Sequence, residues 1–289
     1  MFEGHWLCFD VCGIPSTSPL SDRPIPSTLA AVLWTAAFFM VMEWYRVGVR
    51  IAPMETAAVM TLPVGPPRLS VIIPTLNAAT TLPATLASLC EGDADLEIIV
   101  ADGGSSDGTP DMAPLCLRAP RGRGPQLAAG AVAARAAWML FLHADTRLAP
   151  GWWREVRDHM ARQPESAAVF RFALDDPSRQ ARRVERLVAW RCRALALPYG
   201  DQGLLIPRVL YHALGGYRPL PLMEDVDLIR RIGRRRLRFL KTPAVTSADR
   251  YRRDGWTARP LRNLACLGLW WLGLPADRVA RLYRGGRGA

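Results

Sequence analysis

Three acidic positions carry the chemistry that this chain advertises. Asp102 lies in Ile98-Ile-Val-Ala-Asp-Gly-Gly-Ser-Ser-Asp-Gly-Thr109, Asp145 in Phe141-Leu-His-Ala-Asp-Thr146, and Glu224-Asp225 in Pro221-Leu-Met-Glu-Asp-Val226. The first two follow apolar runs of strand length, so each carboxylate is expected at the C-terminal end of a strand. In an open α/β sheet that end is where ligands bind. Carboxylates gathered there suit a divalent cation, Mg2+ or Mn2+, holding a phosphate-bearing substrate.

Each acid also has a plainer reading. A carboxylate at Asp102 can accept a hydrogen bond from a uracil or guanine ring N–H, with Gly103 and Gly104 letting backbone approach the ligand; equally, it can cap its own turn. Asp145 is the leading metal-ligand candidate, and His143 is either a second ligand, a ribose contact or a structural histidine. Glu224-Asp225 opens a helix, where acids offset the dipole. The upstream Gly200-Asp201-Gln202 and Gly215-Gly-Tyr217 put polar groups and glycines in loops that can form an acceptor site. A carboxylate there is a candidate general base. Pro74-Thr75-Leu-Asn77 ends a strand and can meet a base or ribose, or form an ordinary turn. Gly122-Arg123-Gly-Pro-Gln126-Leu-Ala-Ala-Gly130 opens a helix with an arginine and suits an anion. It has neither the Walker ending nor the dinucleotide glycine spacing.

The elements that must position these groups follow from periodicity. Strands are expected at 69–74, 96–101, 138–142, 167–174 and 237–240. Helices are expected at 81–89, 126–138, 151–162, 179–197 and 225–235, with Ser106 or Asp107 capping a further helix. Strands alternating with helices imply a mostly parallel sheet with helices on both faces.

The chain of 289 residues has a net charge of +11, from 36 arginines and the single Lys241 set against 26 acids. That charge serves solubility and general attraction to anions, or contacts with lipid or nucleotide phosphates. No zinc-finger, aromatic RNA-binding or helix-turn-helix pattern occurs, so no nucleic-acid partner is expected. The six cysteines are scattered, which fits free thiols in a reducing cytoplasm. Residues 1–59 form an N-terminal extension with an apolar run from Leu29 to Met42. That run is shorter than the ~20 residues a membrane span needs. The extension reads as disordered, as membrane-associated, or as sequence upstream of a true start at Met54 or Met60. Residues 256–289 form an amphipathic helical tail. Its run Leu264 to Leu274 is flanked by Arg259, Arg262, Arg278 and Arg281. It is expected either to pack on the domain or to lie, through residues 259–284, on an anionic membrane surface at the inner face.

Taken in order, Val71-Ile-Ile-Pro-Thr-Leu-Asn77, Asp102-Gly-Gly-Ser-Ser-Asp-Gly-Thr109, Phe141-Leu-His-Ala-Asp-Thr146, Gly215-Gly-Tyr217 and Met223-Glu-Asp225 resemble glycosyltransferase family 2. The resemblance covers residues 69–255. A finer pattern resembles the arsenosugar-biosynthesis and radical-SAM/selenodomain-associated subgroup. It consists of Gly122-Arg-Gly…Gln126, His143-Ala-Asp-Thr146, Gly200-Asp-Gln202 and Leu222-Met-Glu-Asp225. The resemblance implies a GT-A fold, a UDP- or GDP-linked sugar donor, a hydroxyl acceptor left open, and an inverting, metal-assisted transfer. It casts Asp225 as catalytic base with Glu224 beside it, Asp102 as base reader, and Asp145 with His143 at the metal. The implied donor-binding positions are Pro74, Thr75, Asn77, Asp102, Gly103, Gly104, Arg123, Gln126, Ala144, Asp145, Gly200, Asp201, Gln202 and Arg250. Two departures stand out. His143 replaces the first acid of the family's Asp-x-Asp, and Arg250-Tyr251 stands where the family carries Arg-Trp. Two other classes compete. A sugar-1-phosphate nucleotidyltransferase would want a Gly-rich loop with Arg and Lys near the first strand, which is missing. A non-catalytic nucleotide-sugar-binding scaffold would not need Asp102, Asp145 and Asp225 together.

Overall fold

The structure is a computed structural model that describes residues 67–113 and 115–285. The extension 1–59 and its apolar run at 29–42 lie outside the described residues. Everything below belongs to the unit Thr61–Ala289.

Eight strands form one sheet: β1 (Leu69–Thr75), β2 (Leu96–Asp102), β3 (Cys116–Arg118), β4 (Trp138–Phe141), β5 (Thr146–Leu148), β6 (Ala167–Leu174), β7 (Leu204–Pro207) and β8 (Leu237–Thr246). Their order is β3-β2-β1-β4-β7-β6-β8-β5. Pairings are parallel from β3 through β4 and between β6 and β8. They are antiparallel where β7 inserts between β4 and β6, and where β5 pairs with β8. The parallel half reads as near-continuous apolar runs because both its faces are covered. Ile72 and Ile99 face one core and Val71, Ile73 and Val100 the other, all of them fully buried.

Helices cover both faces. α1 (Leu82–Leu89) and α3 (Trp152–Arg162) pack on one side through Leu82, Leu89, Trp152 and Val156. α2 (Arg123–Ala133) packs on the other through Leu127 and Ala131. α2 lies so close to β1 that a Cβ at Gly130 would overlap the Ile72 side chain, which explains the glycine there. α4 (Arg179–Leu195), capped by Ser178, buries Val184, Val188 and Cys192. The remaining helices are α5 (Arg208–Ala213), α6 (Glu224–Ile232), α7 (Asp249–Asp254), α8 (Ala258–Trp271) and α9 (Ala276–Gly285).

Several boundaries differ from the sequence expectation. β8 runs to Thr246 because its distal half pairs with both β5 and β6, a tertiary gain that its mixed sequence does not announce. No α-helix follows Ser106-Asp107. Asp107 accepts from the amides of Ala79 and Thr109, ahead of the short 3-10 turn Thr109–Met112 that Gly108 opens, while the Ser106 amide donates to Asn77. The tail is two helices that fold back on the domain: Cys266, Leu267 and Val279 join the same core as α2 and α6. No helix among the described residues is long and apolar enough to cross a membrane.

Candidate active site

The site forms where the strands end. Parallel register sets Thr75 opposite Asp102. β4 stops at Phe141, and the chain runs on through His143 to Asp145. The β5–β8 ladder holds that crossing: Thr146 and Thr246 are partners, their hydroxyls 2.8 Å apart, and the Ser247 amide donates to the Asp145 carbonyl at 3.1 Å. α6 brings the third acidic position, the pair Glu224-Asp225. Its entry residue, Met223, sits at φ 67°, the left-handed region that non-glycine residues rarely adopt. Such strain persists only where packing holds it, often beside a functional site. Asp227 fixes the preceding loop by pairing with Arg218 and Arg231, and Arg231 also donates to the carbonyls of Leu214 and Gly216.

These elements enclose a cavity of about 340 Å³. His143, Asp145, Gly200, Asp201, Glu224 and Asp225 line one side of it, and Arg123, at the start of α2, reaches the same space. Arg250, Tyr251 and Arg253 enter from α7, and Arg259, Asn263 and Tyr283 from the tail.

Charges in the cavity are paired or poised. Arg250 Nη2 is 3.2 Å from Asp145 Oδ2, and Arg123 Nη1 is 3.2 Å from Glu224 Oε1. Glu224 is 2% exposed, and Oε1 has no aligned hydrogen bond despite that ion pair. Burial pushes its carboxyl up, with Arg123 opposing and Asp225 adding. Asp225 accepts from the Gly200 amide at 2.7 Å and the Val226 amide at 2.8 Å, which aims its carboxylate. Burial pushes Asp201 up to about 6, opposed by Arg191 and assisted by Asp225 and Asp145; its Oδ1 is buried without a hydrogen-bond partner. Burial, then Arg123, push His143 down to about 4, so the imidazole is neutral at neutral pH. A Cβ on Gly200 would come within 2.8 Å of the His143 Nε2, which fixes a glycine there.

A second group of the expected residues serves the protein itself. The Asp102 carboxylate is 4% exposed and accepts from Thr75, the Gly104 amide, and both the amide and hydroxyl of Ser105. Burial opposes its ionisation, but those donors outweigh it and hold the carboxyl below its usual range. These bonds give Asp102 the geometry of a turn cap. Asn77 clasps the same loop through Ser105 and Ser106. Gln126 donates to the carbonyls of Thr75 and Ala101, tying β1 to β2, with Gly103 packed against it. Gln202 donates to the Phe170 carbonyl and accepts from the Cys192 thiol, so it faces the interior. Pro74 and Ala144 hold backbone positions: the Ala144 carbonyl accepts from Thr85. None of these residues lines the cavity. Tyr217 packs between Phe141 and Tyr211, so Gly215-Gly-Tyr217 is a packing device.

Sequence reasoning missed Tyr199, Arg253, Arg259, Asn263 and Tyr283. Of the two alternatives for the tail, packing on the domain or lying on lipid, Arg259 and Arg262 follow the first: they pair with Asp254 and lie over the rings of Tyr251 and Tyr283 respectively. The available signal was the Arg-Tyr-Arg-Arg-Asp run at 250–254, whose acid can satisfy arginines one or two turns on.

Among the described residues no three His, Cys, Asp or Glu side chains converge as a ready metal cluster. The donors that fit a hard cation are Asp145 and the unpartnered Asp201 Oδ1, with the neutral His143 beside them. They suit a cation whose remaining ligands come from phosphate and water.

The family model described as Glycosyl transferase family 2 matches residues 70–220. A Mycobacterium bovis protein named PGL/p-HBAD biosynthesis glycosyltransferase is 37% identical over 102 residues, covering 28% of this chain and 37% of that protein. The chain thus matches little more than a third of the length of this curated relative. The structure of S. aureus TarS superimposes with a TM-score of 0.50 at 14% identity, covering 73% of this chain and 41% of that one. That likeness is one of fold. A mannosyltransferase from Pyrobaculum calidifontis, solved with GDP-Man and Mn2+, gives a TM-score of 0.47 at 22% identity over 75% of this chain and 67% of that one.

Proposed function

The chain belongs to glycosyl transferase family 2, and from that premise we propose that it moves a sugar from a nucleotide-diphospho-sugar to an acceptor hydroxyl with inversion. Its mixed eight-stranded sheet flanked by helices is the GT-A fold. The observation that carries the reading is the single cavity shared by Asp145, Asp225, Arg123 and Arg250.

Asp225 is the base. Its carboxylate is aimed by two backbone amides and keeps lone pairs for a third hydrogen. It takes the acceptor proton as the acceptor oxygen attacks the anomeric carbon, and the bond from that carbon to the diphosphate breaks on the opposite face. Glu224 is buried against Arg123 and positions that guanidinium instead of taking the proton. Arg123 and Arg250 offset charge that builds on the departing diphosphate. A divalent cation, Mg2+ or Mn2+, held by Asp145 with Asp201 and His143 near it, would add Lewis-acid stabilisation of that leaving group. Asp102, Asn77 and Gln126 shape the loop at Gly103–Ser105 on which a uracil or guanine base rests. The motifs Gly122-Arg-Gly…Gln126 and Gly200-Asp-Gln202 support the arsenosugar-biosynthesis and radical-SAM/selenodomain-associated subgroup.

Thermal unfolding of the full chain with nucleoside diphosphates and nucleotide sugars, with and without Mn2+, tests this. At ~100 times its dissociation constant a ligand adds ~2.7 kcal/mol, which moves the midpoint of a domain this size by roughly 5–10 °C. A Mn2+-dependent rise with one base is the expected result. Folded protein that responds to no nucleotide would leave a non-catalytic scaffold as the better reading.

The tail supports a second, peripheral role. Trp271, Leu272 and Leu282 are exposed, as are Arg278 and Arg281. This face suits an anionic bilayer surface at the cytoplasmic side. Sedimentation with anionic liposomes at low salt is expected to carry the protein down. Recovery in the supernatant at low salt ends that assignment.

A further inference from the structure

A second cavity, of about 330 Å³, opens between α4 and α8. Its volume is that of a small-molecule cleft, ~300–1,000 Å³. Its walls are apolar: Leu187, Trp190 and Leu195 from α4 face Leu261 and Leu264 from α8. Leu187, Trp190, Leu261 and Leu264 are 60–64% exposed, far more than interior side chains of their type. Tyr199, Asp201, Tyr251 and Asn263 line both this groove and the active-site cavity, so the two spaces adjoin and share these side chains as a common wall.

One polar atom of the groove lining is unmet: Arg191 Nη2 is a buried donor with no hydrogen bond. Arg191 is otherwise fixed, its Nε donating to the Leu197 carbonyl at 2.8 Å and its guanidinium 3.5 Å from the Tyr199 ring centre. A buried donor without a partner is destabilising, so one in the groove lining points to a ligand that completes it. A hydroxyl accepts as well as donates and answers that atom. A flat lipid surface explains the exposed leucines but not a concave groove that adjoins the site and carries an unmet donor.

We propose that this groove binds the acceptor, and that the acceptor is an amphiphile. Its hydroxyl-bearing head enters the cavity beside Asp225, and its alkyl or aryl tail lies between α4 and α8. The inference rests on the glycosyl-transfer reading and names the substrate class that reading leaves open. It also explains why the tail folds back: α8 supplies one groove wall and, through Asn263, part of the head site.

The test uses full-length protein and n-alkyl β-D-glucosides from methyl to octyl, each below its micelle concentration so that single molecules bind. Affinity is read by calorimetry, with the thermal response to nucleotide and Mn2+ recorded on the same samples. Affinity should rise about fourfold per methylene that enters the groove. Leu187→Gln and Leu264→Gln, both at exposed positions that tolerate polar side chains, should flatten that rise and leave the nucleotide response intact. Equal affinity for methyl and octyl glucoside, with the nucleotide response present, overturns the groove assignment and leaves the transferase standing. A chain-length dependence that neither variant alters also overturns it, since the tail then binds elsewhere. Loss of the nucleotide response in unmodified protein is a failure of the transferase reading, distinct from both.

Discussion

Asp225→Asn is expected to lower kcat about 10²–10⁴-fold, the usual worth of a positioned general base, while donor affinity stays near that of the unmodified protein. The argument is geometric. Asp225 Oδ2 accepts from the Gly200 amide and Oδ1 from the Val226 amide. These bonds hold the carboxylate at the mouth of α6, facing the cavity it shares with Asp145 and Arg123. Asparagine keeps the shape but cannot take a proton. It has one oxygen where aspartate has two, so one of the two backbone amides meets an NH2 group. That mismatch costs about 1–3 kcal/mol of stability, which is why the unfolding midpoint belongs beside the rate. Single-turnover kinetics with separately measured donor binding checks the split. A variant that binds donor normally and turns over normally removes Asp225 from the role. One that loses donor binding in proportion shows that Asp225 holds the donor.

The sequence announced the acids better than it announced their surroundings. Asp102 and Asp145 follow apolar runs because the strands before them are buried on both faces, and a continuous run of Ile, Val, Leu and Phe is what such strands need. Periodicity therefore found β1, β2, β4 and β6 and the buried face of α6. It did not find β7. Leu204-Leu-Ile-Pro207 is four residues long, enters through Gly203 at φ 66°, and exists as a strand only because β4 and β6 flank it. A pattern can place Asp102 at a strand end, but whether its own loop fills the carboxylate's lone pairs depends on the turn at Gly104 and Ser105, a local geometry with many sequence solutions. The cavity's far wall was hidden for another reason. Asn263 and Tyr283 reach it only after the tail folds back through Cys266 and Leu267, and contacts spanning that much chain leave no local mark. Arg259 and Arg262 show the same effect. They read as flanking charges on an apolar segment, yet both pair with Asp254.

Asp145→Ala is expected to abolish the part of donor binding that depends on Mn2+. It should cost more than the ~10–100-fold in metal affinity that loss of a supporting partner brings. Asp145 is the carboxylate the cation leans on most: the family's neighbouring acid is His143 here, a neutral imidazole kept uncharged by burial and by Arg123. The fold should tolerate the change. Asp145 pairs with Arg250, whose side chain is 46% exposed, so the released guanidinium can be hydrated. The Asp145 carbonyl, which anchors Ser247, is untouched by the substitution. Freed from Asp145, Arg250 would also meet the donor's diphosphate more strongly, so metal-free binding should hold or rise while the metal-dependent increment disappears. Titrating donor with and without Mn2+ separates the two terms. If the increment survives in Asp145→Ala, the cation is held elsewhere, and Asp201, with its unpartnered Oδ1 in the same cavity, becomes the ligand to substitute next.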